Sequence, residues 1–139
     1  MRFYIWLYIG SLIFNFIWEI AHSRLYVFIS PIKNTYSLLF WMSLKDAFFV
    51  TLFSLVIAAA SNNLVWFKKP TVFQIASLGT LGLVFAINIE RHALAVDRWG
   101  YLSSMPTVLG LGLSPLIQMS LGSIVTFLAV KYFFTKKLP

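Results

Sequence analysis

The chain has 139 residues, 60% of them hydrophobic and 18% aromatic, with only 11% charged, against about a quarter charged in ordinary soluble domains. With a mean hydropathy of +0.84, this is the composition of an integral membrane protein. The absence of cysteine excludes disulfides, thiolate metal sites, thiol nucleophiles and CxxC redox chemistry, and the net charge of +7 is scattered over segment ends, where headgroups and topology rules account for it and nucleic acid is not an expected partner.

Crossing about 30 Å of hydrocarbon takes roughly 20 mostly apolar residues, and four stretches qualify, at 3–21, 37–60, 72–93 and 111–134. The first imitates a secretory signal, with Arg2 before the run Phe3 to Phe14 and the triplet Ala21-His22-Ser23 after it. The run continues through Phe16, Ile17 and Trp18, and Glu19 and His22 crowd the mock cleavage site, so a retained helix is expected. Ser30-Pro31 with Asn34 separates the first two spans. Ser61-Asn62-Asn63 with Lys68-Lys69-Pro70 separates the next two, and Gly100, Pro106 and Gly110 precede the last. Connections this short force neighbouring helices antiparallel, so the expected fold is all-α: one transmembrane domain over 1–139, a four-helix bundle in up-down-up-down order. Arg2, Lys68, Lys69, Lys131, Lys136 and Lys137 fall on one side with no acid among them. Arg24, Lys33, Lys45, Arg91 and Arg98 fall on the other with every carboxylate. The bare positive side places both termini in the cytoplasm of a bacterium, with the chain in its inner membrane.

The four carboxylates therefore share one end. Glu19 and His22 close the first span, Lys45 and Asp46 lie two to three turns into the second, and Glu90, Arg91 and His92 stand near the end of the third. Asp97, Arg98, Trp99 and Tyr101 occupy the following loop, and Ser114, Pro115 and Gln118 open the fourth span. A charge at a helix centre costs about 2.5 to 3.5 kcal/mol on insertion scales, which makes Asp46 and Glu90 the most informative placements.

Three readings of this end stay open. Glu19 and His22, at i and i+3, form a Glu-x-x-His element that with Asp46 and Glu90 offers ligands to a divalent metal, although bundle di-metal sites use two such elements. Alternatively, Glu19, Asp46 and Glu90 are an acid–base cluster in which desolvation keeps one carboxyl neutral, His22 or another acid being its counterpart. The third reading is an ion-pair network in which Arg24, Lys45, Arg91 and Arg98 neutralise the acids; Asp97 beside Arg98 is read as an ordinary ion-pair or headgroup residue in any case. Trp18, Trp99, Tyr101, His22 and Gln118 are the residues expected to wall a bound molecule.

Remaining features have structural readings. Trp6, Trp18, Trp41, Trp66 and Trp99 read as interfacial belt residues, His92 as a headgroup-level residue, and Ser77, Gly79, Gly82 and Ala86 as a small-residue side for close helix packing. Gly110-Leu111-Gly112 is no phosphate loop, since no strand precedes it and no GK[ST] follows, and neither GxSxG nor HExxH occurs.

Trp18-Glu19-Ile20-Ala21-His22 with Leu25-Tyr26, Ser43-Leu44-Lys45-Asp46, Glu90, Arg98-Trp99-Gly100-Tyr101, Met105-Pro106 and the run from Gly110 to Gln118 resemble a group of small four-helix bacterial integral membrane proteins of unassigned activity. The resemblance covers nearly the whole chain. His22 stands where that pattern has Gln, and Lys45 where it has Gly, so a role normally filled by Gln does not require an imidazole. More distantly, a glutamate followed by Trp-x-Tyr, a glycine turn and a proline-opened helix is similar to membrane carotenoid-biosynthesis proteins, hydratases and small lycopene cyclases, without the paired carboxylates of the cyclases. That similarity implies acid chemistry on an isoprenoid double bond.

The functional expectation is a membrane-embedded enzyme or binding protein for a lipid-like or isoprenoid molecule, with no cofactor predicted and a divalent metal as a secondary expectation. Its partners are membrane lipids and that lipid-like molecule. The alternative is a non-catalytic accessory or small transport subunit whose polar cluster is a structural ion-pair network, docks a partner, or passes a proton or ion; conduction calls for a homo-oligomer and a polar stripe reaching the far half, where Gln74, Thr80 and Thr126 are the main candidates.

Overall fold

The computed structural model of the chain describes residues 1–28 and 35–137. The loop residues Ser30, Pro31, Lys33 and Asn34 and the Lys137 side chain lie outside the described residues. Four helices are long and apolar enough to cross a membrane. They are α1 (Arg2–His22), α2 (Thr35–Ala60), α3 (Val72–Ala95) and a composite fourth made of α4 (Leu113–Ile117), a π-helical stretch (Gln118–Gly122) and α5 (Ser123–Lys137).

Toward the acid end, α1 buries a polar face and exposes an apolar one. On α1, Ser11, Asn15, Glu19 and His22 point inward, while Ile5, Ile9, Ile13 and Ile17, a strict i+4 row, point outward. Such an inversion is unfavourable in water and favourable in lipid, where polar groups must find partners inside the protein and hydrocarbon solvates the outer face. A conventional core closes the opposite end, with Phe3 stacked on Phe67 at 3.9 Å and Trp66 on Phe127 at 4.5 Å between ring centroids. Tyr4 donates from its hydroxyl to the Leu64 carbonyl at 2.9 Å, tying the start of α1 to the loop after α2. Trp6 and Trp41 are exposed as belt residues should be, but Trp66 is fully buried, its indole N–H donating to the Ser54 carbonyl at 3.1 Å. Trp66 is a core residue because the loop carrying it folds back under the bundle.

Both helix ends nearest the loops are stopped by left-handed residues. Asn62 (φ 47°) ends α2 and Asp97 (φ 49°) ends α3. At the second, Arg98 N–H donates to the Ala93 carbonyl and Asp97 N–H to that of Leu94, the paired bonds of a Schellman stop. Asp97, beside Arg98, was expected to be an ion-pair or headgroup residue, and it is exposed. It serves as the helix stop, and the one ion pair among the described residues is elsewhere.

The all-α expectation needs an addition. Two short antiparallel ribbons form at the loop end: β1 (Tyr26–Phe28) with β2 (Trp99–Tyr101), and β3 (Thr107–Val108) with β4 (Leu111–Gly112). The second turns through Leu109 (φ 52°) and Gly110 (φ 79°), the two positive angles of a tight hairpin turn. The fourth span accordingly starts two residues later than expected. Strands of two or three residues carry no periodicity that a sequence pattern can register.

The fourth helix changes pitch where α3 presses on it. Gly82 of α3 lies so close to the Met119 carbonyl that a β-carbon there would overlap it, Gly79 packs on Ile124, and Gly122 on the ring of Phe14. The small-residue side expected of α3 is thus the seat of the π turn, which has one residue more per turn than the flanking α-helix and carries its own backbone into contact. Gly82→Ala is expected to cost about 1–3 kcal/mol, the usual penalty of overpacking, and to lower the thermal midpoint in detergent. Gly100→Ala, with nothing within 4 Å of its β-carbon, is expected to leave that midpoint unchanged.

Candidate functional site

Three helices bring their acids to one place. The Gln118 side-chain amide, at the head of the π turn, donates toward Asn15 Oδ1 at 2.9 Å, Glu19 Oε1 at 3.1 Å and Asp46 Oδ2 at 3.3 Å. One amide has two N–H groups, so two of these three acceptors are served at any moment. Asn15 is held for the purpose, its own amide donating to the Ser11 carbonyl at 2.8 Å.

Glu19 is also bound from the loop side. Its Oε2 lies 3.1 Å from His22 Nε2, while His22 Nδ1 lies 2.9 Å from Ser114 Oγ, which accepts from the Trp18 indole at 3.2 Å. A neutral imidazole satisfies the whole chain in one way: Ser114 donates to Nδ1, and Nε2–H donates to Glu19.

Glu90 is the third acid, and aromatic donors surround it. Tyr101 donates a short hydrogen bond to Oε2, the Trp99 indole lies 3.5 Å from the same oxygen, and the Tyr26 hydroxyl is 3.4 Å from Oε1. The β1–β2 ribbon produces this arrangement. Tyr26 is directly opposite Tyr101, and Trp99, two residues from Tyr101, shares its face. The rings pack edge to face, Tyr26 on Trp99 at 5.9 Å and on His22 at 5.3 Å. The backbone N–H of Gly112 donates to the Tyr101 hydroxyl at 2.9 Å, fixing its direction.

A cavity of about 50 Å³ lies between these groups, lined by Glu19, His22, Asp46, Glu90, Trp99 and Gln118 and by apolar residues including Met42, Phe85 and Ile89. Of the residues singled out in the sequence, Glu19, Asp46, Glu90, His22, Trp99 and Gln118 all line this cavity. Trp18 and Tyr101 do not line the cavity; they act one residue removed, through Ser114 and Glu90.

Two other readings fare less well. Arg24, Lys45, Arg91 and Arg98 are all exposed, and among the described residues the only ion pair is His22 with Glu19. The cluster is tied by neutral donors, since a long cationic side chain at a helix end gains more from headgroups and water than from the interior. As a metal site the arrangement is a poor fit. Both His22 nitrogens are engaged, Glu90 is turned to its aromatic donors, and among the described residues no three His, Asp or Glu side chains form a metal-holding group.

Sequence reading missed Asn15, Ser114 as a hydrogen-bonding partner, and Tyr26. Asn15 was findable, being four residues before Glu19 on the same face. Tyr26 was not, because the ribbon brings it to Glu90 from 64 residues away.

Compared with protein-family models, curated proteins and solved structures, the chain matches none.

Burial and the neighbouring Glu90 carboxylate hold the Tyr26 and Tyr101 phenols above the ordinary 10.0. Ionising either would set a phenolate against a carboxylate, so each folded-state value exceeds its unfolded one. The stability linked to these two groups is complete below about pH 10 and is lost as pH rises through their folded values. In an alkaline titration followed by phenolate absorbance, Tyr26 and Tyr101 are expected to ionise last of the six tyrosines. Tyr26→Phe and Tyr101→Phe should each remove part of that late phase and none of the early one.

Proposed function

We propose that the chain is a membrane-embedded acid–base protein that binds, and acts on, a lipid-like or isoprenoid molecule. The observation that carries this reading is the convergence of Glu19, Asp46 and Glu90, from three helices, on one cavity, with no arginine or lysine ion pair to them among the described residues. A volume of about 50 Å³ is far below the 300–1,000 Å³ of a whole-ligand pocket and suits one or two waters or the reacting end of a longer molecule. The body of the substrate then lies in the bilayer against α2 and α3, beside Met42, Phe85 and Ile89.

The chemistry that suits these groups is protonation of a carbon–carbon double bond. A neutral carboxylic acid gives its proton to one alkene carbon; the alkene π pair forms the new C–H bond, the O–H pair stays on the carboxylate, and the adjacent carbon becomes cationic. The faces of Tyr26 and Trp99 shelter that cation. Loss of a proton to a second carboxylate gives an isomerised alkene. Where a second double bond of the same molecule first attacks the cation, its π pair forms the ring C–C bond and the same proton loss gives a cyclised alkene; capture of water, whose extra proton passes to a carboxylate, gives an alcohol.

The finer arrangement belongs to the same reading. The bundle runs up-down-up-down, with both termini and the Lys68-Lys69 loop in the cytoplasm of a bacterium and the acid cluster toward the other face of its inner membrane. The resemblance to small four-helix bacterial membrane proteins, and the more distant one to carotenoid-biosynthesis proteins, supports this reading. The structural ion-pair alternative has no lysine or arginine pair among the described residues to support it.

Extraction and mass spectrometry of lipids from the purified protein test the proposal. An isoprenoid or other lipid-like species is expected to accompany the wild type and to fall about tenfold or more, roughly 1.4 kcal/mol of binding, in a Glu19→Gln, Asp46→Asn, Glu90→Gln variant. Identical lipid content in a folded variant would sink the reading.

A further inference from the structure

We infer that a second polar layer inside the bundle, formed by Ser11, Ser54 and Thr126, is a water-binding site that prolongs the acid cluster into a half-channel ending at the Trp66–Phe127 stack. The layer follows from counting. Ser11 stands eight residues from Glu19, Ser54 eight from Asp46 and Thr126 eight from Gln118. Gln118 holds those three reference residues together. Moving eight residues along each helix at a rise of 1.5 Å reaches one level about 12 Å deeper. Three helices thus place a hydroxyl at the same depth.

These hydroxyls are sealed and unsatisfied. Ser11 and Ser54 are 0% exposed and Thr126 is 5% exposed, and none of their side-chain oxygens has a hydrogen-bond partner among the described residues. Other hydroxyls in the same helices behave differently: Ser43, Thr51, Ser61 and Ser123 each donate to the carbonyl four residues earlier. That local bond is the usual way for a membrane helix to neutralise a hydroxyl. Three departures from it at one level mean that the groups share another partner.

Water fits that partner. A buried water takes two to four hydrogen bonds from otherwise unsatisfied polar groups, and three hydroxyls able to donate or accept supply them. No carboxylate stands at this level to favour a cation. The link to the acid cluster is already made, Gln118 donating to Asn15 and Asn15 to the Ser11 carbonyl. The floor is equally defined: Phe127 follows Thr126, its ring lies 4.5 Å from that of Trp66, and Trp66 donates to the Ser54 carbonyl. Of the polar residues expected toward this half, only Thr126 takes part. Gln74 caps α3 in a reciprocal pair with Thr71, and Thr80 is exposed. The layer gives the acids a proton reservoir on the side away from the loops, and it does so whatever the substrate is.

The natural absence of cysteine allows a direct test. Ser11→Cys, Ser54→Cys and Thr126→Cys are reconstituted singly in vesicles, exposed to silver ions, then denatured, and the remaining thiols are counted with a maleimide. Because a thiol binds soft metal as the thiolate, which forms in water, block is expected at least about tenfold faster at the three positions than at Leu78→Cys, whose site is 0% exposed and apolar. Trp66→Ala, combined with any of the three, should open the layer to silver from the second face as well. Rates equal to that of Leu78→Cys overturn the inference. Where a cysteine variant does not fold, Ser11→Ala and Thr126→Val decide: a hydrated layer loses hydrogen bonds and the thermal midpoint falls, whereas a rise means that the hydroxyls were orphans in a dry core.

Discussion

The amide of Gln118 holds the polar interior together. It reaches Asn15 and Glu19 on α1 and Asp46 on α2 from the fourth helix, so three helices share one donor group at membrane depth. An unsatisfied polar group in hydrocarbon costs several kcal/mol. An amide meets that demand without bringing a charge, which an arginine in the same place would do. Among the described residues, the acids are thus bound together without an ion pair to lysine or arginine.

That bond depends on packing elsewhere. Gln118 stands at the first position of the π turn, and the turn is seated on α3 by Gly82, which tolerates the Met119 carbonyl at a distance no side chain allows. A π turn adds a residue to the repeat and so re-aims the side chains on either side of it. Gln118 consequently faces α1 and α2, while Ser114, one turn earlier, reaches His22 and Trp18.

Much of the membrane architecture was legible from residue order alone. The four spans followed from apolar run length, and the common end of Glu19, Asp46 and Glu90 followed from counting along short loops. Other features were hidden for definite reasons. The β1–β2 ribbon that carries Tyr26 to Glu90 is three residues per strand, too short for an alternation to show. Trp66 looked like a belt residue because its loop folds under the bundle only when Phe127 and Ser54 are there to receive it. Arg24, Lys45, Arg91 and Arg98 looked like counter-ions because charge counting carries no direction; in the structure they point outward to where water and headgroups solvate them better than a carboxylate in a dry bundle can.

The sequence by itself determined that this is a membrane protein with four helices, and that its acids lie at one end, because hydrophobicity and length are additive along a chain. Only the tertiary structure decided which neutral groups bind those acids, that Glu90 is enclosed by aromatics, and that the hydroxyls of Ser11, Ser54 and Thr126 are buried without a hydrogen-bond partner among the described residues. Those outcomes depend on helix rotation and on contacts between residues tens of positions apart. Rotation in a bundle is set by close packing such as that of Gly82 on the π turn, which no single segment specifies.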